Sequence, residues 1–478
     1  MYQAITFIIS ALIILVCLLV FKKRNNESLS LLLKILVVVF CALGVFRLFL
    51  SDSFIYVING HWIDGTFYQD ADILQSILRW GYFATYAVLP LAVFFESRLM
   101  KNLASYVCLP FAILSAIFIN DFMPYFLTTS TNELGYRLIP EIRYALFIAE
   151  LVLAIAVPIL MQINDKHVFN VKDKGEWFRF LIAIPFVLLV MMPVYIPQSL
   201  FGYDNIAPKA FEAWHWIWWG ITVVGIMALY YLFRFKNKEQ RYMICLFLAL
   251  ALFYHYHTMY LKGVTIDRMP FQLCNAAVYM LLFGLIFKMG KFFHFCFIVN
   301  IVGTIIAMIL TNMSIGISAF WSMHYLVQHS LILAVPALAM GLRIFDRVSK
   351  KSLLYAWIGF TIFFVIVFVI GTYLNGHATT QADKVNYFYM FDLKVAFDYV
   401  PYVTFTKDVH WTFGVYEVYP LLIAIVYVAY CILCVIFFFV VKLLYTIEDD
   451  HLQLRLSSID LYEKLSGKKS KRPKEFID

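Results

Sequence analysis

The chain of 478 residues is strongly apolar: 63% of its residues are hydrophobic, only 14% are charged, and its mean hydropathy is +0.80. Soluble domains contain about 45–50% apolar and about 25% charged residues, so the composition excludes an ordinary soluble protein. The net charge of +8 does not indicate nucleic-acid binding, because the basic residues fall in short loops between apolar runs. The composition therefore predicts an all-α, polytopic bundle of transmembrane helices without a nucleic-acid partner.

Apolar runs that are long enough to cross a membrane recur along the whole chain. A crossing helix needs about 20 mostly apolar residues. We predict about thirteen spans, which cover residues 3–21, 28–50, 74–95, 103–120, 143–162, 180–200, 213–234, 242–262, 271–288, 292–311, 321–342, 352–374 and 418–442.

The loops between these runs alternate in charge. Lys22–Arg24 and Arg343–Lys351 are examples of basic loops, whereas Ser51–Asp72 and Phe201–Glu212 are acidic or mixed. Lysine and arginine accumulate in the cytoplasmic loops of membrane proteins. The alternation therefore predicts a multi-pass protein of the cell membrane, with its N-terminus outside and its C-terminus in the cytoplasm.

The loop Phe201–Glu212 is a candidate seam between two helix bundles, because six predicted spans precede Glu212 and seven follow it. We expect an N-terminal six-span bundle of unknown role over residues 1–212 and a seven-span bundle over residues 213–442. Residues 443–478 are expected to form a cytoplasmic tail that is first amphipathic and then basic. The long loop Asn375–Glu417 could act as a lid, although interfacial packing would also explain its aromatic residues.

Eight cysteines occur, and most lie inside apolar runs, where a free cysteine behaves as a small hydrophobic residue. Their spacing shows no disulfide framework. Cys274 differs from the others, because it lies beside the start of a predicted helix. The positive potential of a helix N-terminus favours the thiolate, and a nearby histidine can accept the thiol proton. A lone cysteine at a helix end is more often structural, so the residue alone leaves both interpretations open.

Eight of the eleven histidines map to the outer half of the predicted topology. His255 and His257 are two residues apart and point to different faces of a helix. His324 and His329 are five residues apart, which is about 140° around a helix. This geometry argues against a four-ligand metal site, although one ligand per helix from Cys274 and these histidines would still be compatible with a metal.

Depth in the membrane ranks the candidate partners of Cys274. At about 1.5 Å per residue, Cys274 and His324 lie about 5 Å inside their spans, and His329 lies about 12 Å inside. Depth alone therefore favours His324 as the base. The glycerol esters of a phospholipid lie near the same interface, so a lipid ester is a suitable substrate for this thiol.

Three short segments of the last seven spans resemble the YwaF-like bacterial integral membrane proteins, which are related to the eukaryotic transmembrane protein 164 group. Met269–Cys274 (MPFQLC) is similar to the start of the family's third helix. Trp321–Ser330 is similar to its fifth helix, with His329 at the family histidine, and Asn386–Met390 is similar to a segment before its last helix. Gln272 stands where the family has a histidine.

The resemblance implies a phospholipid acyltransferase that works through an acyl-enzyme. It assigns Cys274 as the nucleophile and His329 as the base, with a membrane phospholipid or another acyl-lipid as the substrate. The residues of second rank are His324, Tyr325, Asn275, Gln272, His255, His257, Asn386 and Tyr387. We expect neither a cofactor nor a metal, and the sequence leaves the oligomeric state open.

Charged residues inside the predicted spans support two alternatives. Glu150, Arg47 and Arg79 map toward the outer half, and an ion pair between Glu150 and an arginine would fit them. An ionisable residue at membrane depth is a candidate functional site. The first alternative is therefore a transporter or flippase for a lipid-linked or small polar substrate. The second is a non-catalytic membrane partner that scaffolds an envelope enzyme through its first six spans.

Overall fold

A computed structural model of the chain describes most of the predicted helices. The described residues are 1–21, 26–50, 61–63, 66–68, 78, 81–95, 97–120, 140–165, 172–191, 206–257, 269–311, 313, 316–378, 384–391, 401–413 and 416–467.

Long apolar helices dominate the first part of the chain. They are α1 Tyr2–Phe21, α2 Asn26–Leu50, α3 Thr85–Phe94, α4 Arg98–Ile117, α5 Pro140–Asp165 and α6 Lys174–Met191. A short antiparallel hairpin of β1 (His61–Ile63) and β2 (Thr66–Tyr68) follows α2.

The second part of the chain is also helical. Its helices are α7 Ala213–Phe233, α8 Lys238–His257, α9 Leu273–Ile286, α10 Gly290–Ile309, α11 Phe320–Gly341, α12 Lys350–Gly376 and α13 Pro420–Ser466. Between α12 and α13 lie two 3₁₀ segments, Tyr387–Tyr389 and Pro401–Asp408, and an antiparallel hairpin of β3 (Trp411–Phe413) and β4 (Tyr416–Val418).

Each of the predicted intervals overlaps one of these helices. Within the described residues, nine helices are long and apolar enough to cross a membrane. The protein is therefore helical and multi-pass, as the composition predicts. The count of about thirteen spans and the orientation of the chain stay predictions, because α3 and α9 are apolar but short, and α6 and α8 are not among the nine.

The helices divide into two compact units. Unit 1 contains Met1–Lys209, Leu250–Thr265 and Met313–Gln328, and unit 2 contains Ala210–Ala249, Ile266–Asn312 and His329–Asp478. The last turns of α8 and the first turns of α11 thus belong to unit 1, while the remainder of both helices belongs to unit 2. The predicted domains are continuous segments with separate roles, and that prediction stays untested.

A buried carboxylate lies in the core of unit 1. Glu150 of α5 is fully buried, and its Oε1 accepts hydrogen bonds from the hydroxyls of Tyr82 at 2.7 Å and Tyr86 at 2.5 Å. The ring of Tyr86 also stacks on Tyr254 at 4.5 Å. A Cβ at Gly44 would lie 2.3 Å from the Tyr86 ring, so a glycine is what lets α2 approach this cluster. The side chains of Arg47 and Arg79 lie outside the described residues, and the predicted ion pair is untested.

Unit 2 is built around the packing of α10 on α12. Gly359 of α12 permits this approach, because a Cβ there would lie 2.7 Å from the ring of Phe295. The helix α10 contains a π turn over Cys296–Asn300, an irregularity that often occurs at functional sites. The core of unit 2 therefore combines close helix packing with a local widening of one helix.

Candidate functional site

Cys274 is the second residue of α9. Gln272 caps the helix with an extended backbone (φ −71°, ψ 143°), and its carbonyl accepts the first helical hydrogen bond from Ala276 N at 2.9 Å. Met269 and Phe271 form a tight turn ahead of it. The chain remains in this turn through Pro270 and Phe271, and the helix begins only after Gln272. Cys274 consequently lies in the first turn, where the backbone N–H groups favour negative charge.

The Cys274 thiol has a polar neighbour. Its Sγ donates to Asn275 Oδ1 at 3.6 Å, a reasonable distance for sulfur, and the Asn275 side chain is buried. Cys274 itself is partly exposed. Cys274 is therefore accessible, and the next residue of the same helical turn accepts its hydrogen bond.

Gln272 fixes the segment that resembles the family motif before the last helix. Its Nε2 donates to the carbonyl of Asn386 at 3.0 Å, and its Oε1 accepts from Phe388 N at 3.1 Å. Beside it, the ring of Phe271 packs edge-on against buried Tyr387 at 5.4 Å. The structure thus joins Gln272, Asn386 and Tyr387, which the sequence predicts only as separate site residues. The Gln272 amide therefore uses both of its polar ends.

A second side-chain amide holds the other end of the same segment. Asn375, buried near the end of α12, donates from Nδ2 to Val385 O at 3.0 Å and accepts from Val385 N at 2.8 Å. Asn386 closes the turn by accepting from Phe391 N at 3.0 Å through Oδ1. Two amides therefore satisfy backbone groups that a non-helical segment leaves unpaired.

The segment 385–391, which we name the clamped segment, folds back along α12. Phe388 packs against Phe360 at 6.0 Å and Phe364 at 5.6 Å, near the middle of this long helix. Its backbone has a positive φ of 57°, which a bulky residue adopts only when its surroundings hold it. Irregular backbone at this level is tolerated where protein buries it or where it lines a cavity. The clamped segment, which is part of the loop Asn375–Glu417, is therefore inserted against the middle of α12.

Tyr430 of α13 connects this aromatic cluster to the helix of Cys274. Its ring stacks on Phe360 at 4.6 Å, and its hydroxyl donates to Val299 O in the π turn at 2.8 Å. A Cβ at Gly303 would lie 2.6 Å from Tyr430 Oη and 2.8 Å from Leu273 Cδ2. Leu273 directly precedes Cys274, so the cluster reaches the first turn of α9.

These contacts lie in a part of the chain that a family comparison recognises. Residues 210–440 match the model of the TMEM164 family. The match supports a relation of this segment to that family and includes all three resembling motifs, while the YwaF-like label stays a prediction. No curated protein and no solved structure matches the chain.

The candidate histidines belong to different units. His329 belongs to unit 2, as Cys274 does, and is buried within the TMEM164-related segment. The next residue, Ser330, bonds to Trp218 Nε1 and to Thr222 Oγ1, each at 2.8 Å, so this part of α11 is fixed against α7. The structure therefore places His329 in the same compact unit as the thiol. Its role as base stays a prediction.

The remaining second-rank residues belong to unit 1. His324 Nε2 pairs with the carbonyl of His255 at 3.1 Å, and His255 Nε2 pairs with Val190 O at 3.0 Å. His257 Nδ1 pairs with Phe253 O at 2.6 Å, and Tyr325 is partly exposed. Backbone carbonyls thus engage one ring nitrogen of each histidine. In the part of the chain that is described, no three His, Cys, Asp or Glu side chains form a metal-binding group.

Sequence reasoning does not identify Asn375, Tyr430 or Asn300 as site residues. Asn300 ends the π turn of α10 and is 1% exposed, and neither atom of its amide has a hydrogen-bond partner among the described residues. A buried amide without a partner is costly, so such a group needs a physical explanation. Only the polar residue type inside an apolar run could have drawn attention to Asn375 and Asn300.

Proposed function

We propose that the TMEM164-related segment is a membrane acyltransferase that moves a fatty acyl chain from a lipid donor through a Cys274 thioester. The observation that carries the proposal is the position of Cys274 in the first turn of a short helix, next to a segment that Gln272 fixes in a non-helical form. A helix N-terminus stabilises both the thiolate and the developing oxyanion. A phospholipid of the cell membrane is the donor that suits this site.

The reaction follows from the chemistry of a thiol and an imidazole. His329 accepts the thiol proton, and the sulfur attacks the ester carbonyl carbon of the donor lipid. The single bond between the acyl carbon and the glycerol oxygen breaks, the departing lysolipid alkoxide takes the proton from His329, and the acyl group remains on sulfur. A hydroxyl of the acceptor then gives its proton to His329 and attacks the thioester. The acyl group leaves with the acceptor, and the thiolate recovers the proton.

Acyl capture by the reconstituted full-length protein tests this proposal. A phospholipid with an alkyne-tagged acyl chain should label wild-type protein through a bond that neutral hydroxylamine cleaves. Cys274→Ala should remove this label, and Cys274→Ser should convert it to a slower, hydroxylamine-resistant ester. Cys108→Ala is the control for a buried cysteine outside the TMEM164-related segment. An undiminished thioester in Cys274→Ala would contradict the proposal.

The base is assigned by a matched pair of histidine variants. His329→Ala should slow thioester formation by about 10²–10⁴-fold, the usual contribution of a general base. His324→Ala should leave the rate close to that of the wild type, because the carbonyl of His255 already pairs with His324 Nε2. The reverse ranking would assign the base to His324, as the depth argument does.

Glu150 favours a second candidate function for unit 1, namely transport of a lipid-linked or small polar substrate. Its carboxylate is fully buried in α5 and bonded to two tyrosine hydroxyls. Glu150→Gln should stop transport in vesicles if unit 1 is a transporter, whereas Cys274→Ala should not affect it. Full acyl transfer in Glu150→Gln, together with no measurable transport by wild type, would exclude this candidate.

A further inference from the structure

An apolar groove runs along the surface of unit 2 between α12 and α13. It has a volume of about 510 Å³, and its walls include Trp357, Ile358 and Ile362 of α12 and Cys431 of α13. From Leu354 to Ile362 the lining covers two turns of α12, or about 12 Å at 1.5 Å per residue. Both helices are long and apolar enough to cross a membrane, so the groove lies in the stretch that faces lipid.

The two hydroxyl groups in the groove wall pair with each other. The Tyr427 hydroxyl and Thr361 Oγ1 are 2.7 Å apart, and Thr361 Oγ1 donates to Trp357 O at 2.8 Å. Tyr427 thus acts as donor to Thr361. Among the described residues that line the groove, none is charged. The groove accordingly offers an occupant few hydrogen-bonding groups and no charge, which argues against a charged headgroup and favours a hydrocarbon chain.

The side chains of the groove also argue against a transmembrane helix as the occupant. Helices approach one another in membranes through small residues such as glycine, alanine and serine. Most of the side chains that line this groove are large, and the ring of Phe295 already fills the space beside Gly359 on the same helix. A shallow groove lined by large side chains suits a single flexible chain better than a closely packed helix.

The groove and the environment of Cys274 share one aromatic wall. Tyr427 stacks on Phe360 at 5.5 Å with an angle of 8° between the rings, and Phe360 stacks in turn on Tyr430. Phe360 also touches Phe388, whose N–H is bound by Gln272. Rings therefore form a continuous contact from the groove to the clamped segment and to the helix that carries the thiol.

We propose that this groove binds the acyl chain of the lipid whose ester acylates Cys274. The inference rests on the proposed acyl transfer and names its hydrocarbon subsite. The clamped segment would lie between the chain in the groove and the thiol, so that Phe388 and Tyr427 border the path of the acyl chain toward sulfur.

A matched pair of tryptophan variants tests the groove. Ile358 lines it and Ile366 of the same helix does not, although the two side chains are equally exposed at 51% and 49%. Ile358→Trp should lower the rate of thioester formation by about tenfold, as expected when a bulky side chain fills a site. Ile366→Trp should leave the rate within about twofold of wild type, because it only replaces one lipid-facing side chain by another.

Photo-crosslinking separates this inference from the proposed function. A phospholipid with a photoreactive acyl chain should label residues 354–362 and Cys431 in wild type and in Cys274→Ala, and unlabelled phospholipid should compete. Even labelling along α12, or equal rates in the two tryptophan variants, would overturn the groove as an acyl-chain site. Competable groove labelling without any thioester would overturn the transfer proposal and leave the groove as a lipid-binding site.

Discussion

At the scale of single residues, side-chain amides form the hydrogen bonds to backbone groups that helices and strands form elsewhere in the chain. Gln272 and Asn375 each provide a donor and an acceptor to the clamped segment. An amide carries a donor and an acceptor side by side, so it can pair with one backbone C=O and one backbone N–H of the same segment. Gln272 therefore has a structural role that needs both of its polar ends.

Replacement of Gln272 by glutamate tests this role without a change in shape. Gln272→Glu keeps the acceptor for Phe388 N but loses the donor to Asn386 O. The free energy of unfolding should therefore fall by about 1–3 kcal/mol at neutral pH. Protonation of the new carboxyl at low pH restores an O–H donor. The loss should therefore shrink as the pH is lowered, whereas that of the acceptor-free variant Gln272→Leu should not. A pH-independent deficit in Gln272→Glu would contradict the assignment. Thermal unfolding in detergent measures both effects.

Phe388 shows what the sequence could not reveal about the site. A φ of 57° at phenylalanine is unfavourable by itself, and residue type gives no warning of it. Four aromatic side chains hold the ring: Phe360, Phe363, Phe364 and Tyr430. Strain of this kind is retained where the surrounding packing determines the backbone, and such positions cluster at functional sites.

At the scale of helices, hydropathy predicts where the elements lie better than where they begin. The predicted interval 271–288 contains α9, but the helix is confined to Leu273–Ile286. Apolar residues continue through Pro270 and Phe271, so composition cannot distinguish the turn from the helix. The resembling motifs point to Gln272 and Asn386 separately, whereas their contact depends on a backbone reversal that no local pattern encodes. The sequence thus predicts the separate site candidates Cys274, Asn275, Gln272, Asn386 and Tyr387, but it does not predict the contacts among them.

The junction of α9, α10 and α13 gives a prediction about helix packing. A Cβ at Gly303 would lie 2.6 Å from Tyr430 Oη and 2.8 Å from Leu273 Cδ2, so Gly303→Ala should destabilise the protein by about 1–3 kcal/mol. The second substitution Tyr430→Phe should recover part of this loss, because it removes the nearer atom. Thermal melting of the single and double variants measures the coupling.

Gly225 of α7 provides the matched control for that experiment. A Cβ there would meet nothing within 4 Å. Gly225→Ala should therefore be neutral or stabilise the protein by about 0.5–1 kcal/mol through the higher helix propensity of alanine. If both alanine variants melted alike, close packing at Gly303 would not be what stabilises the first turn of α9.

At the scale of the whole molecule, the last helix extends well beyond the predicted span. With 47 residues, α13 is about 70 Å long, more than twice the thickness of the hydrocarbon core. Arg347 holds its extension through Glu448 at 2.6 Å and lies 3.9 Å above the ring of Tyr445. The predicted amphipathic tail therefore continues the last helix to Ser466. The basic run Lys468–Lys474 lies outside the described residues.

The orientation of the chain decides which leaflet supplies the lipid. The predicted count of about thirteen crossings, an odd number, would place the termini on opposite sides, and the positive-inside rule predicts that the N-terminus lies outside. A tag ahead of Met1 should be digested by protease in right-side-out vesicles, while a tag after Asp478 should be digested only in inside-out vesicles. A tag at Asn237, between α7 and α8, should behave as the C-terminal tag does. Protection or loss of both terminal tags together would require an even number of crossings.

The same topology predicts the side from which Cys274 is acylated. In an odd arrangement that starts outside, the chain enters α9 from the outer side, so Cys274 should accept acyl chains from the outer leaflet. Tagged phospholipid added only to the outer leaflet of right-side-out vesicles should form the thioester at the full rate. The same lipid confined to the inner leaflet should react only as fast as it crosses the bilayer. Equal rates from the two leaflets would contradict this orientation of α9, because a site that opens toward one side of the membrane takes its donor lipid from that leaflet.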